Sequence, residues 1–232
     1  MVKTGKGVAI TMWGLIITGF VVLYSAGCSS IPFQSVSYVS VKSVHPEEVR
    51  ERFSLLVPRK FQLVSTIVFQ YDRHYISAIG YIAIDTHQKI FTVVCLNPVG
   101  VKLFELSGDA DDVECRFALE EFTHHKDFAQ AVADDIKRIY FDRIPDSEAE
   151  VCKQKYKIVF RQSAGSGTME YVFAGPDEVL IEKRYYEGDR QLWSVFYYEY
   201  RLENGKLYPA GIILRHHQYR YQLVVRLKEI RS

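Results

Sequence analysis

Neither sign of charge predominates in this chain. Lys and Arg number 29 against 28 Asp and Glu, a formal net charge of +1. Such a balance carries no electrostatic footprint for nucleic acid, and no basic block stands ready for anionic lipid headgroups. The sequence has no phosphate loop and no dinucleotide fingerprint, so nucleotide chemistry lacks its usual cradle. Repeats of fixed period and low-complexity blocks are also missing. Cysteines are few: Cys28, Cys95, Cys115 and Cys152. In an exported protein two of the last three could pair and leave one over. Cys95 and Cys115 lie in apolar, strand-like segments, where free thiols act as small hydrophobes, so no essential disulfide is expected.

The N-terminus is the most informative stretch. Lys3 and Lys6 precede an apolar run from Val8 to Tyr24, followed by Ser25-Ala26-Gly27-Cys28-Ser29-Ser30. A basic start, an apolar core and small residues before a cleavage point make a secretory signal peptide. A cysteine directly after those small residues resembles a bacterial lipobox. The resemblance implies that residues 1–27 are removed and that Cys28 is acylated, becoming the mature N-terminus and a stable membrane anchor. Two other readings stay open: an ordinary signal peptide cut after Gly27, and an uncleaved apolar span of about 20 residues. Ser29 and Ser30 contain no acidic retention signal. In the lipobox family this directs the protein to the outer membrane, with its domain facing the periplasm.

Beyond the leader, residues 28–43 are rich in Ser and Val and read as a lipid-anchored tether, and residues 44–232 read as one domain. Pro46-Glu47-Glu48 opens a short helix, since Pro is tolerated in the first turn and acids suit its dipole. From Phe61 the apolar period becomes two. Strand-like runs follow at 75–85, 89–96, 101–107 and 112–118, and again at 153–163, 168–175, 178–187, 191–202, 207–216 and 219–229. Short Gly, Asn and Asp-rich turns between them imply hairpins. Residues 125–142 interrupt the pattern: Phe128, Val132, Ile136, Ile139 and Tyr140 share one face of an amphipathic helix. The expected fold is mainly β: one strongly curved antiparallel sheet, a half-barrel of about eleven strands, wrapped around that helix.

Signatures of catalysis are not found. His216 and His217 are adjacent on a strand and point to opposite faces, which does not suit one metal. His124-His125 belongs to the helix entry turn. Asp109, Asp111 and Asp112 lack the framework of a calcium loop and read as an acidic hairpin turn. Gly165-Ser166-Gly167 lies between strands, not at a strand-to-helix nucleophile elbow. Cys152 has no histidine near it in sequence. No enzyme activity, metal or cofactor is expected. The positive signal is aromatic: 16 Tyr and 14 Phe, densest in Trp193-Ser194-Val195-Phe196-Tyr197-Tyr198-Glu199-Tyr200. Alternation puts Trp193, Val195, Tyr197 and Glu199 on one face and Phe196, Tyr198 and Tyr200 on the other. Such a strand either lies in ordinary core or lines an apolar cavity suited to acyl chains.

The helix-then-strand opening, Pro46-Glu47-Glu48-Val49-Arg50-Glu51-Arg52-Phe53 with Phe61-Gln62-Leu63-Val64-Ser65, resembles the LolA/LolB class of lipoprotein carriers. So do the closing segments Leu207-Tyr208-Pro209-Ala210-Gly211-Ile212-Ile213-Leu214 and Tyr221-Gln222-Leu223-Val224-Val225-Arg226-Leu227. Ala78-Ile79-Gly80-Tyr81-Ile82-Ala83-Ile84-Asp85, Leu96-Asn97-Pro98-Val99-Gly100 and Ala133-Asp134-Asp135-Ile136 also resemble a family of uncharacterised outer-membrane lipoproteins encoded near aryl-polyene and fatty-acid-type gene clusters. The resemblance implies a monomer that binds an acyl chain or lipoprotein and serves as carrier or acceptor in its transfer. Phe128, Val132, Ile136, Ile139, Tyr140, Trp193 and Tyr197 would then be its lid and cavity residues. The alternative is a non-enzymatic structural or assembly lipoprotein with a self-filled core and a protein partner.

Overall fold

The period-two runs become twelve strands in the computed structural model, which describes residues 31–124 and 127–231. They are β1 Lys60–Tyr71, β2 His74–Asp85, β3 Ile90–Leu96, β4 Lys102–Gly108, β5 Val113–Ala118, β6 Glu150–Lys153, β7 Lys157–Ala164, β8 Gly167–Ala174, β9 Val179–Glu187, β10 Arg190–Glu203, β11 Lys206–His216 and β12 Tyr221–Arg231. All pair antiparallel in one sheet of order β5-β4-β3-β2-β1-β12-β11-β10-β9-β8-β7-β6. The first five strands are joined to the last seven by the β1–β12 pairing. β5 and β6 are the free edges, so the sheet is open. The strand beyond the expected eleven is β6, four residues exposed throughout and without the alternation that marks a strand in sequence. The run read as 153–163 is two elements, broken at residues 154–156.

Three helices complete the described residues: α1 Pro46–Leu56, α2 Glu120–Thr123 and α3 Phe128–Tyr140. Pro46 opens α1, with Glu47 and Glu48 in its first turn. This favours the helix start because Pro has no N–H to leave unpaired and acids complement the dipole. α3 lies across the concave face. Ala133, Ile136, Ile139 and Tyr140 on its inner side join Phe61, Leu63, Ile82, Phe91, Val93, Leu106, Phe160, Tyr171, Phe173, Val195 and Tyr197 in one core. Each large buried side chain contributes roughly 1.5–3 kcal/mol. α1 closes one end of the hollow, where Phe53 meets Phe173 and Tyr200 edge-on, with centroids 5.2 and 6.4 Å apart.

The alternation read along β10 breaks at Glu199. Its φ of 52° is a left-handed conformation that disrupts the pleat. Tyr200 therefore packs with the main core rather than with Phe196 and Tyr198. Its hydroxyl donates to the Leu180 carbonyl at 2.8 Å.

Residues 33–231 form one unit. Much of the expected tether 28–43 is docked on this unit. Phe33 is buried on the convex face, stacked on Tyr198 at 5.3 Å and covered by the Arg226 guanidinium. Gly211 makes the seat: a Cβ there would lie 2.3 Å from the Phe33 ring. The Gln34 amide donates to Glu199 Oε1, and the Val41 amide to the Lys155 carbonyl. The leader and Cys28 lie outside the described residues.

Candidate functional site: the concave face beneath α3

Three polar contacts, two of them buried and one part-buried, tie α3 and its C-terminal end to the sheet. The Tyr221 hydroxyl on β12 donates to the Asp135 carboxylate at 2.7 Å. The Tyr197 hydroxyl on β10 donates to the Ile139 carbonyl at 2.8 Å. The Lys183 ammonium on β9 donates to the Phe141 carbonyl at 2.8 Å, just past the helix end. Helix ends leave carbonyls without intrahelical partners, and these donors take up part of that need. All three ties fall in the second half of α3. Its first turn is held instead by aromatic packing: Phe128 contacts Phe104 at 5.1 Å and Phe122 at 4.9 Å.

The hollow therefore has two regions. Under the end of α3, Tyr171, Tyr197, Phe160, Phe173, Leu180 and Ile139 are almost wholly buried and fill the space. Around its start the apolar wall is only half-covered. Ile67, Phe69, Phe104, Phe122, Phe128, Val132 and Leu223 are all intermediate in exposure, and Ile76 is 46% exposed. Ile67 and Phe69 share a face with Ala78 and Ile76 through the β1–β2 register. Among the residues expected for lid and cavity, Phe128 and Val132 lie in the half-covered region. Ile136, Ile139, Tyr140, Trp193 and Tyr197 lie in the filled one. Trp193 stacks on Tyr185 at 5.8 Å, beside Arg138 and Lys183.

Two cations lie in this core, a feature that apolar patterning could not reveal. Lys183 is 1% exposed. Burial, reinforced by the charges of Arg143 and Arg138, pulls its ammonium down to about 7. Arg143 is 4% exposed, and its Nε and Nη2 have no hydrogen-bond partner among the described residues. Burial also pushes Asp135 up to about 6, against the opposing effects of Tyr221 and Arg138.

The motifs set aside in sequence have structural roles. The Asp109 carboxylate accepts the amides of Asp111 and Asp112, making an Asx turn. His216 is buried, accepts the Tyr219 amide and is held down to about 4 by burial. His217 faces the other way, its Nε2 3.3 Å from Ser194 Oγ and 3.1 Å from Gln191 Nε2. Among the described residues no acid hydrogen-bonds to this pair, as a hydrolytic triad would require. Cys95 is buried, while Cys115 and Cys152 sit on opposite edge strands, and all three are free thiols. Among the described residues no His/Cys/Asp/Glu group could hold a metal, and no helix is long and apolar enough to cross a membrane.

No family model and no curated protein sequence matches this chain. Solved structures do. A LolA superfamily protein from Nitrosomonas europaea aligns with a TM-score of 0.51 and 11% identity, over 83% of this chain and 93% of its own. An outer membrane lipoprotein-sorting protein domain from Vibrio parahaemolyticus aligns at 0.45 and 9%, over 80% and 89%. A DUF1329 family protein from Desulfovibrio piger aligns at 0.46 and 8%, over 80% and 90%. What this chain shares with the Nitrosomonas europaea structure is an open antiparallel sheet around a helix. At these identities the likeness is one of fold.

Proposed function

We propose that this protein is a lipid-anchored envelope carrier or acceptor that holds an acyl chain or a lipidated molecule between α3 and the concave face. The observation that carries this reading is the half-covered apolar wall at the start of α3. A core built only for stability would cover Phe69, Phe104 and Phe128 as completely as it covers Phe160 and Phe173. An apolar hollow with few polar groups matches an acyl chain in chemistry. The LolA-type fold supports the reading, as does a leader ending in a lipobox-like cysteine, with Cys28 as anchor in the outer membrane and the domain in the periplasm. The anchored protein acts as a monomer, without catalysis or cofactor.

The test is mass spectrometry of lipid extracted from the purified protein, with displacement of a fluorescent fatty acid. A stoichiometric acyl ligand is expected. The filled region under the end of α3 favours a second reading, a structural lipoprotein with a self-filled core. Protein that contains no lipid and takes up no probe would decide for it.

A further inference from the structure

We propose that the acyl ligand carries a carboxylate head, and that Arg143 receives it at the closed end of the hollow. This rests on the acyl-binding reading above and narrows it to fatty-acid-type ligands. A guanidinium stays charged in any protein environment, and a buried charge is stable only when paired. No ion pair among the described residues involves Arg143 or Lys183, although both are buried. The nearby acid, Asp142, faces solvent and pairs with Lys89. The two orphan nitrogens are not a random pair. Nε and Nη2 lie along one edge of the guanidinium, and their N–H bonds run parallel, which is the edge that grips a carboxylate with two hydrogen bonds.

Among the described residues no carboxylate bonds to the Arg143 guanidinium. The Phe61 ring lies 5.9 Å from the guanidinium carbon. The hydroxyls of Tyr140, Tyr197, Tyr200 and Tyr208 all feel its charge. Those of Tyr197 and Tyr200 already donate to backbone carbonyls. A ligand carboxylate at Arg143 would balance a site that otherwise holds two cations. Side chains fill the closed end in this structure, so the head enters only when α3 lifts and these side chains give way. The tail then follows β1, where Phe61 to the half-covered Ile67 is six residues, roughly 20 Å at 3.3 Å per residue, a span that a long acyl chain can fill. Among the described residues no buried polar contact holds the start of α3.

The experiment uses the full-length chain in nanodiscs of neutral phosphatidylcholine. Binding of radiolabelled dodecanoate and dodecanol is measured, with empty nanodiscs subtracted. The expected result is at least about tenfold tighter binding of the acid, the range of a charge-assisted pair. Arg143→Met should bring the two ligands within about threefold by weakening dodecanoate more than dodecanol, and Arg143→Lys should restore part of the preference. Equal binding of acid and alcohol by the wild type, or an unchanged preference in Arg143→Met, overturns the carboxylate site and leaves acyl binding standing. Binding of neither ligand overturns both. If Arg143→Met does not fold, a dodecanoate with a diazirine beside its carboxyl group decides the question in wild-type protein. Adducts within 139–144 or at Tyr208 support the site. Adducts confined to Phe69 and Phe104 overturn it.

Discussion

Lys183 shows how one side chain can make this core depend on pH. Below about 7 its amine is charged in both the folded and unfolded states, so the cost of its burial is constant. Between about 7 and the ordinary lysine value of 10.5 the unfolded chain keeps a proton that the folded protein gives up. Stability must therefore rise with pH across that window. Lys183→Met removes this slope. Urea midpoints at pH 7 and pH 10 should show the wild type gaining on the variant, and a difference independent of pH would show that the amine is not neutralised by burial. Ile136 is simpler. It is 7% exposed under α3, and Ile136→Ala should cost about 2–5 kcal/mol in equilibrium unfolding. Its role as core was readable from helical spacing. The role of Lys183 was not, because a lysine in an alternating strand reads as solvent-facing until its neighbours are known.

At the scale of elements, α3 and the Phe33 segment invite different tests. The ties at Asp135, Ile139 and Phe141 hold the end of α3, while the described residues at its start make apolar contacts. A lid built this way opens from Phe128, since moving elements come from the less stable parts of a structure. Phe128→Ala removes the ring packed on Phe104 and Phe122 and should speed acyl uptake measured by stopped-flow fluorescence of a fatty-acid probe. Uptake at the wild-type rate would exclude a lid that opens from this end. The Phe33 segment tests packing instead. Gly211→Ala should unseat Phe33 and destabilise the wild type. In a Phe33→Ala background the same change should cost little, because contacting residues couple in a double-mutant cycle. Equal costs in both backgrounds would mean that Phe33 does not rest on Gly211 in solution.

At the scale of the whole molecule, the twelve strands of the described residues pack around α3, with β5 and β6 at the two edges of the sheet. β5 carries a register shift against β4, and β6 is only four residues long, two devices that discourage edge-to-edge association. The leader makes its own prediction. Cys28→Ala should release the protein from membranes or leave its precursor uncut, read by fractionation and by alkyne fatty-acid labelling. Labelling that persists in the variant would rule out Cys28 as the acylated residue.

Local rules were enough for much of this. Period-two runs and turn residues marked eleven strands, and helical spacing marked α1 and α3, because each depends on near neighbours in the chain. Other features depend on residues far apart in sequence, and only the tertiary structure decided them. Glu199 turned Tyr200 to the core through a backbone conformation that alternation cannot encode. Phe33 found its seat on Gly211, 178 positions away, so a stretch that reads as a tether is docked instead. Arg143 and Lys183 came together in the core from a loop and a distant strand. A charge in sequence reads as solvent-facing, and only the closing of the sheet around α3 removed these two from water.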